Sequence, residues 1–298
     1  MRIRGVVAAS IAVVALLAAA PSFAQMVTGL HILPVAIHAP GVAPSFWKTD
    51  VFVTNYGDNA MKVGFLFFPE GQANAMPFTI PEAQTRVLGA KGTLLVEDIV
   101  ATMFAQSNRK GMLLVVSDTM WIPTNEPDPE KITVSSRTYN TGSDPRGSFG
   151  QTATNMLLYV NAVYEPSWIT GVRNDTSFRA NLGIGSISPS TIKVHYRVRR
   201  ADGAVAAEGS KDILSFSMGQ WSLSSLGVAQ GAGPLSIELW LDGASVTGGL
   251  CAGMFVNANL FFAYASPVDG AGSGAGTGDG EMLYAQPGAG LQILKCTQ

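Results

Sequence analysis

Short apolar runs bounded by turn residues recur along the chain. TDVFVTN, MKVGFLFF, GTLLVED, GMLLVVSD, KITVSSRTY, TIKVHYRVRR, PLSIELWL and NLFFAYAS are rich in β-branched and aromatic residues and are bounded by Gly, Pro, Asn or Asp. That pattern predicts strands. VHYRVRR alternates apolar and polar positions, as a strand with one wet face does. GFLFF and GMLLVV are continuously apolar. Such runs suit strands buried in a sandwich rather than strands facing a watery lumen. The best helical signal is VEDIVATMFAQ, residues 96–106, with Ile99, Met103 and Val96 toward one side. It predicts one short helix or helical turn between strands.

The pattern also repeats. HILPVAIHAP from His31 matches LLYVNAVYEP from Leu157, an offset of 157 − 31 = 126. FWKTDVFV from Phe46 matches SFRANLGI from Ser177, an offset of 177 − 46 = 131. Gly71 of FFPEG matches Gly203 of RRADG at 203 − 71 = 132. Gly92 matches Gly219, Gly111 matches Gly233, and Asn140 matches Asp269, in the same order. The drift between offsets is the size of loop insertions. The expected fold class is therefore all-β: two tandem antiparallel β-sandwich repeats, Ig-like, with at most one or two short helices. The first repeat covers 25–152 and the second 153–298, each with about seven short strands. DGAGSGAGTGDGE, residues 269–281, is too rich in glycine to pack and reads as a flexible loop.

Composition adds compartment and excludes partners. The chain opens MRIRGVVAASIAVVALLAAAPSFAQ. Arg2 and Arg4, an apolar stretch and the small-x-small site Ser22-Phe23-Ala24 form a secretory signal, residues 1–24, cut before Gln25. The expected location is secreted or periplasmic, at the cell exterior. No later stretch is apolar enough for a transmembrane helix. Without the two signal arginines the charge is 17 − 21 = −4, which argues against nucleic acid as a partner. Cys251 and Cys296, 296 − 251 = 45 residues apart, read as a disulfide in an exported chain.

LPVAIHAPGVAPSFWKTDVFVTN, GTLLVEDIVATMF, GMLLVVSD and SSRTYNTGSDPRGSFGQ, with SFRANLGI and FAYASPVDGAGSGAGTGD in the second half, carry a resemblance. They resemble an uncharacterised family of exported bacterial tandem β-sandwich (Ig-like) proteins and accessory domains. In secreted proteins of soil-type bacteria, such domains sometimes stand behind a protease or another catalytic domain. The resemblance covers most of the mature chain. It implies architecture and attaches no activity. The second copy departs at Ala265-Ser266, where the first has Ser136-Arg137.

Candidate chemistry gathers in two places. His38, Trp47 and Asp50 could pair as a base and its orienting acid, with Ser45 or Thr49 as nucleophile. In the second copy His38 becomes Tyr164, Trp47 becomes Phe178 and Asp50 becomes Asn181. Aromatic size and amide-bonding capacity persist while proton chemistry is lost, so these positions read as a structural motif. Lys48 matches Arg179, which keeps a cation beside the aromatic. Arg137, Tyr139, Asn140 and Arg146 could form a polar recognition surface at the loop end. Asp58, Asp144, Asp269 and Asp279 lie in Gly- or Asn-rich loops without the Asp-x-Asp-x-Asp spacing of a calcium loop. His195 sits in an alternating strand. Gly-x-Ser-x-Gly, His-Glu-x-x-His, phosphate-loop and dinucleotide motifs are missing from the sequence. No cofactor, catalytic set or metal site is expected. The expected partner is an exported protein, a surface or a polysaccharide. The alternatives are a secreted hydrolase and an outer-membrane β-barrel.

Intact mass spectrometry of the exported protein should give a chain that begins at Gln25. Thiol titration in guanidinium should find no free cysteine before reduction and two after it. The disulfide should stabilise by roughly 4 kcal/mol in the chain-entropy model.

Overall fold

A computed structural model describes residues 30–41, 45–75, 80–117, 132–141, 149–156, 166–241, 250–251, 254–255, 260–269 and 280–287. The first half supplies β1 (Leu30–Pro40), β2 (Phe46–Asn55), β3 (Met61–Pro69), β4 (Thr85–Leu88), β5 (Thr93–Val96), α1 (Ile99–Thr102), β6 (Arg109–Ser117), β7 (Ile132–Asn140) and β8 (Phe149–Thr154). The second supplies β9 (Ser167–Arg173), β10 (Phe178–Ser186), β11 (Ile192–Arg200), β12 (Val205–Ile213), β13 (Met218–Ser222), β14 (Pro234–Leu241), β15 (Leu250–Cys251), β16 (Met254–Phe255), β17 (Phe261–Asp269), β18 (Leu283–Tyr284) and β19 (Gln286–Pro287). Each of the eight apolar runs singled out in the sequence overlaps a strand. The helix is one turn, with Ile99 and Val100 buried, and Val96 closes β5 instead of joining it. Strand β8 runs to Thr154, past the division expected after 152.

The strands pair antiparallel throughout. In the first half they form β4-β3-β6-β1 and β5-β2-β7-β8. These two join only at the corner where Ala39 faces Trp47 and Pro40 faces Phe46. In the second half they form β12-β11-β14-β9-β19 and β13-β10-β17-β18.

Strands β15 and β16 pair with each other. Three apolar layers separate the four larger sheets. Val51, Val53, Phe65, Leu113 and Val134 fill the space between the first two sheets, under α1. Leu182, Val194, Tyr196, Ile237 and Phe261 fill the space between the last two. A middle layer joins Ile32, Phe68, Met112, Leu114 and Val116 of the first half to Met218, Phe262 and Tyr264 of the second. The sheets stack in the order β5-β2-β7-β8, β4-β3-β6-β1, β13-β10-β17-β18, β12-β11-β14-β9-β19. The two inner sheets are therefore covered on both faces. Successive residues of a strand point to opposite faces, so Leu113 and Val115 enter one layer while Met112, Leu114 and Val116 enter the next. That placement explains why GMLLVV is continuously apolar and VHYRVRR, on an outer sheet, is not.

The middle layer is closely fitted. The ring of Tyr264 lies across Gly183, where an added Cβ would come within 2.1 Å of it. Glycine inside a strand admits such an approach. At its polar margin Glu70 Oε1 accepts the Gln220 N–H at 2.9 Å. Lys110 Nζ sits 3.2 Å from both Glu70 and Gln220 Oε1. Asn74 donates its side-chain amide to the Phe216 carbonyl at 2.8 Å. Phe216 has φ 42°, unfavourable for a side chain of that size, and its ring stacks on Phe68 at 5.8 Å. The Tyr264 hydroxyl is fully buried and has no hydrogen-bond partner among the described residues. Burial first, then the charge of Glu70, pushes its ionisation far above the ordinary tyrosine range.

Leu114→Ala should cost about 2–5 kcal/mol and lower a single melting transition for the whole chain. Tyr264→Phe removes only an unpaired buried hydroxyl and should leave stability unchanged or raise it. Chemical denaturation followed by circular dichroism checks both. Two separate transitions, or a loss of more than about 1 kcal/mol in Tyr264→Phe, would contradict this description of the middle layer.

Candidate functional site

The residues singled out by sequence meet on the free face of the β5-β2-β7-β8 sheet and at its corner with β1. Along β2, Thr49, Val51 and Val53 are buried, so Lys48, Asp50 and Phe52 face outward. Along β7, Ser136, Thr138 and Asn140 are buried, so Arg137 and Tyr139 face outward. The register sets Asp50 opposite Arg137 and Lys48 opposite Tyr139.

Asp50 Oδ1 accepts the backbone N–H of Asp98 at 2.8 Å and the Tyr139 hydroxyl at 3.3 Å. Bonding a backbone amide is the structural role expected for Asp50. The Arg137 guanidinium carbon lies 4.9 Å from the Tyr139 ring centroid. Burial, followed by the negative charge of Asp50, holds the Tyr139 hydroxyl above its usual ionisation range.

His38 pairs with Asp98, and no hydrogen bond joins it to Asp50. Its Nδ1 lies 2.8 Å from one Asp98 oxygen and 2.9 Å from the other. An ionised carboxylate only accepts, so Nδ1 carries the proton. Lys48 Nζ reaches the same carboxylate at 3.2 Å. Phe46 meets the His38 ring edge-on, centroids 4.9 Å apart. Asp98 precedes α1 with φ 46°, a left-handed conformation that aspartate tolerates better than most residues. No hydroxyl among the described residues is hydrogen-bonded to His38. The pair fixes an imidazole tautomer but has no nucleophile beside it. Asp98 was missed in the sequence, although an Asp directly before a short helical run is an N-terminal signal.

The other expected residues divide. Asn140 is 8% exposed and its Oδ1 accepts the Phe46 N–H at 2.9 Å. It ties the β1–β2 corner to β7 and leaves the proposed recognition surface to Arg137 and Tyr139. The side-chain alternation of β7 is the reason. Trp47 is half-buried against Gly41, where a Cβ would come within 2.5 Å of the indole nitrogen. Thr49 Oγ1 accepts the Ile37 N–H and shares a hydrogen bond with Thr138, each at 2.9 Å, so it is structural. Asp58 pairs with Lys91 at 2.9 Å. Arg146, Cys296 and the side chain of Cys251 lie outside the described residues, as do Tyr164, Asp144, Asp279 and the Asp269 side chain.

The corresponding face of the second half keeps the register but loses the cluster. Phe178 pairs with Asp269 and Asn181 with Ser266, as Trp47 does with Asn140 and Asp50 with Arg137. Phe178 carries the Arg173 guanidinium 3.8 Å from its ring centroid. Asn181 makes no side-chain hydrogen bond among the described residues, so the amide-bonding role of Asp50 does not recur there.

Asp50→Asn keeps an oxygen for the Asp98 N–H and should cost less than about 1 kcal/mol, whereas Asp50→Ala should cost about 1–2 kcal/mol. Urea denaturation of the two variants decides. Equal losses of several kcal/mol would mean that the negative charge, not the hydrogen bond, matters.

No family model matches the chain, and no curated protein matches it. Among solved structures the chain is similar to procruciferin, the 11S globulin of Brassica napus, at 7% identity. That likeness spans 82% of this chain and 79% of the globulin with a TM-score of 0.22, too low to carry an argument.

Proposed function

We propose that this is an exported, non-catalytic protein of two tandem Ig-like β-sandwiches that serves as a binding or structural accessory module at the cell exterior. The pairing scheme supports the tandem reading. Pairs β1–β6, β2–β7, β3–β4, β3–β6, β2–β5 and β7–β8 recur as β9–β14, β10–β17, β11–β12, β11–β14, β10–β13 and β17–β18. Three sequence matches are displaced. Strands β5 and β13 pair so that Leu94, not Gly92, corresponds to Gly219. Strands β6 and β14 pair so that Gly111 corresponds to Leu235, and β1 and β9 pair so that Ala36 corresponds to Val172. Asn174, not Tyr164, is then the counterpart of His38. The chain crosses between sheets from β1 to β2 and from β6 to β7, with β1 beside β6 and β2 beside β7. Immunoglobulin-like sandwiches arrange their B, C, E and F strands in this way. The strands between β2 and β6 follow a different order, so the likeness lies in the Greek-key centre. Open, stacked sheets favour this reading over a membrane barrel, which needs a closed sheet.

One observation carries the binding reading: the outward face of β2 and β7. Arg137 lies over Tyr139, Tyr139 is fixed to Asp50, and Asp50 is fixed to the Asp98 backbone. Beside them Phe52 and Leu95, directly paired across β2 and β5, are 37% and 45% exposed. A preorganised arginine and tyrosine next to exposed apolar side chains is a composition found at binding hot spots. The hydrolase alternative draws support from the His38–Asp98 pair alone. It would gain from a hydrolysis that disappears in His38→Ala.

Mature protein immobilised at residue 298 should capture one saturable partner from envelope or culture-medium extracts. Arg137→Ala with Tyr139→Ala should weaken capture by about tenfold or more while the fold survives. Unchanged capture by the double variant would remove this face from the proposal.

A further inference from the structure

The opposite outer sheet, β12-β11-β14-β9-β19, presents a different face. The equivalent sheet of the first half is covered by the second half through Met112, Leu114 and Val116 of β6. At the matching outward positions β14 carries Ser236, Glu238 and Trp240. The stack therefore ends here, because charged outward positions cap a layered array. Capping accounts for the charges. It does not account for two tryptophans, Trp168 and Trp240, half-buried on this face.

Their surroundings are specific. His195 stacks on Trp240 with ring centroids 5.5 Å apart and planes 13° from parallel. The Arg197 guanidinium carbon lies 5.1 Å from the same ring centroid. Glu238 lies directly opposite Trp168 in the register. Glu238 Oε2 takes Arg197 at 3.4 Å and Arg199 at 3.1 Å, and Arg197 Nε also bonds Glu208 at 3.1 Å. Two groups are left over among the described residues: Glu238 Oε1 and Arg197 Nη2 make no hydrogen bond. A free acceptor, directly opposite Trp168 in the register, and a free donor, on the arginine that lies over Trp240, thus share this face with the two indole rings.

Charge selects the occupant. The outward cations of β11, Lys193, Arg197 and Arg199, are matched by Glu208, Asp212 and Glu238 on the neighbouring strands. Paired in this way, they offer little to a polyanion. Fixed charges also make the face a poor seat for another copy's apolar sheet. An uncharged ligand with an apolar face and vicinal hydroxyls fits what remains. A pyranose ring packs its C–H face on an indole, and two neighbouring hydroxyls can bond one carboxylate oxygen and one guanidinium N–H.

We propose that this face binds a neutral polysaccharide through Trp168, Trp240, Arg197 and Glu238. It lies on a separate sheet from the Arg137–Tyr139 face and stands or falls independently of it. Native affinity electrophoresis of the mature chain tests it, in gels containing a mixed-linkage β-glucan, a galactomannan, dextran or polygalacturonate. At least one neutral polymer should retard the protein. Trp168→Ala with Trp240→Ala should weaken that retardation roughly tenfold or more, while Arg137→Ala with Tyr139→Ala should leave it unchanged. The proposal is overturned if no neutral polymer retards the protein, if polygalacturonate retards it most, or if the tryptophan variant binds as before. Should that variant melt early, Glu238→Gln replaces it and should lose retardation to a similar degree. Wild-type tryptophan emission should also shift on adding oligosaccharides of the retarding polymer, and flat emission would count against the face.

Discussion

Burial of both faces of the two inner sheets is the constraint on which the rest of the molecule depends. A strand such as β6 places apolar side chains into two layers at once, and each large one buried is worth about 1.5–3 kcal/mol. Separating the halves would expose Met112, Leu114, Val116, Phe262 and Tyr264 together. The halves thus share one core. Division into two independent domains would leave each with an unsolvatable face.

That constraint also decides where polar chemistry can sit. Among the described residues, only the first and last of the four stacked sheets have a face free of apolar cover, and the polar clusters follow. At one outer sheet Asp50, Asp98, His38, Lys48 and Tyr139 form a hydrogen-bonded network fixed to the β1–β2 corner and to the turn before α1. At the other, Arg197, Arg199, Glu208 and Glu238 form an ion-paired ladder around Trp240. Inside the middle layer the Tyr264 hydroxyl is unpaired among the described residues. It shows how little room that layer leaves for polarity.

The two halves keep register and drop chemistry. Trp47 opposite Asn140 and Phe178 opposite Asp269 preserve the pairing, while Arg137 gives way to Ser266 and Tyr139 to Val268. Backbone pairing and apolar burial constrain shape at these positions. Neither requires a particular charge on the free face, so charged residues differ between the copies.

The sequence by itself determined the all-β class and where most of the strands lie. Alternation and apolar runs are local consequences of a two-residue period, whereas the counterpart of β1 was misplaced by ten residues because pairing with β14, not segment similarity, sets where β9 lies. The backbone bond of Asp50 did not follow from the sequence, since Asn181, which replaces it, makes no side-chain hydrogen bond among the described residues. Tertiary structure alone decided the partners. Asp98 reaches His38 only because β5 delivers the turn before α1 beside β1, a pairing across 60 residues. Asn140 is withdrawn from the recognition surface because it shares a buried face with Thr138, and only the sheet's placement defines which face is buried. The stacking of one half on the other was likewise not readable. Continuous apolar runs announce burial on both sides, but which sheet supplies the cover depends on packing between segments more than 100 residues apart, as Lys110 and Gln220 are.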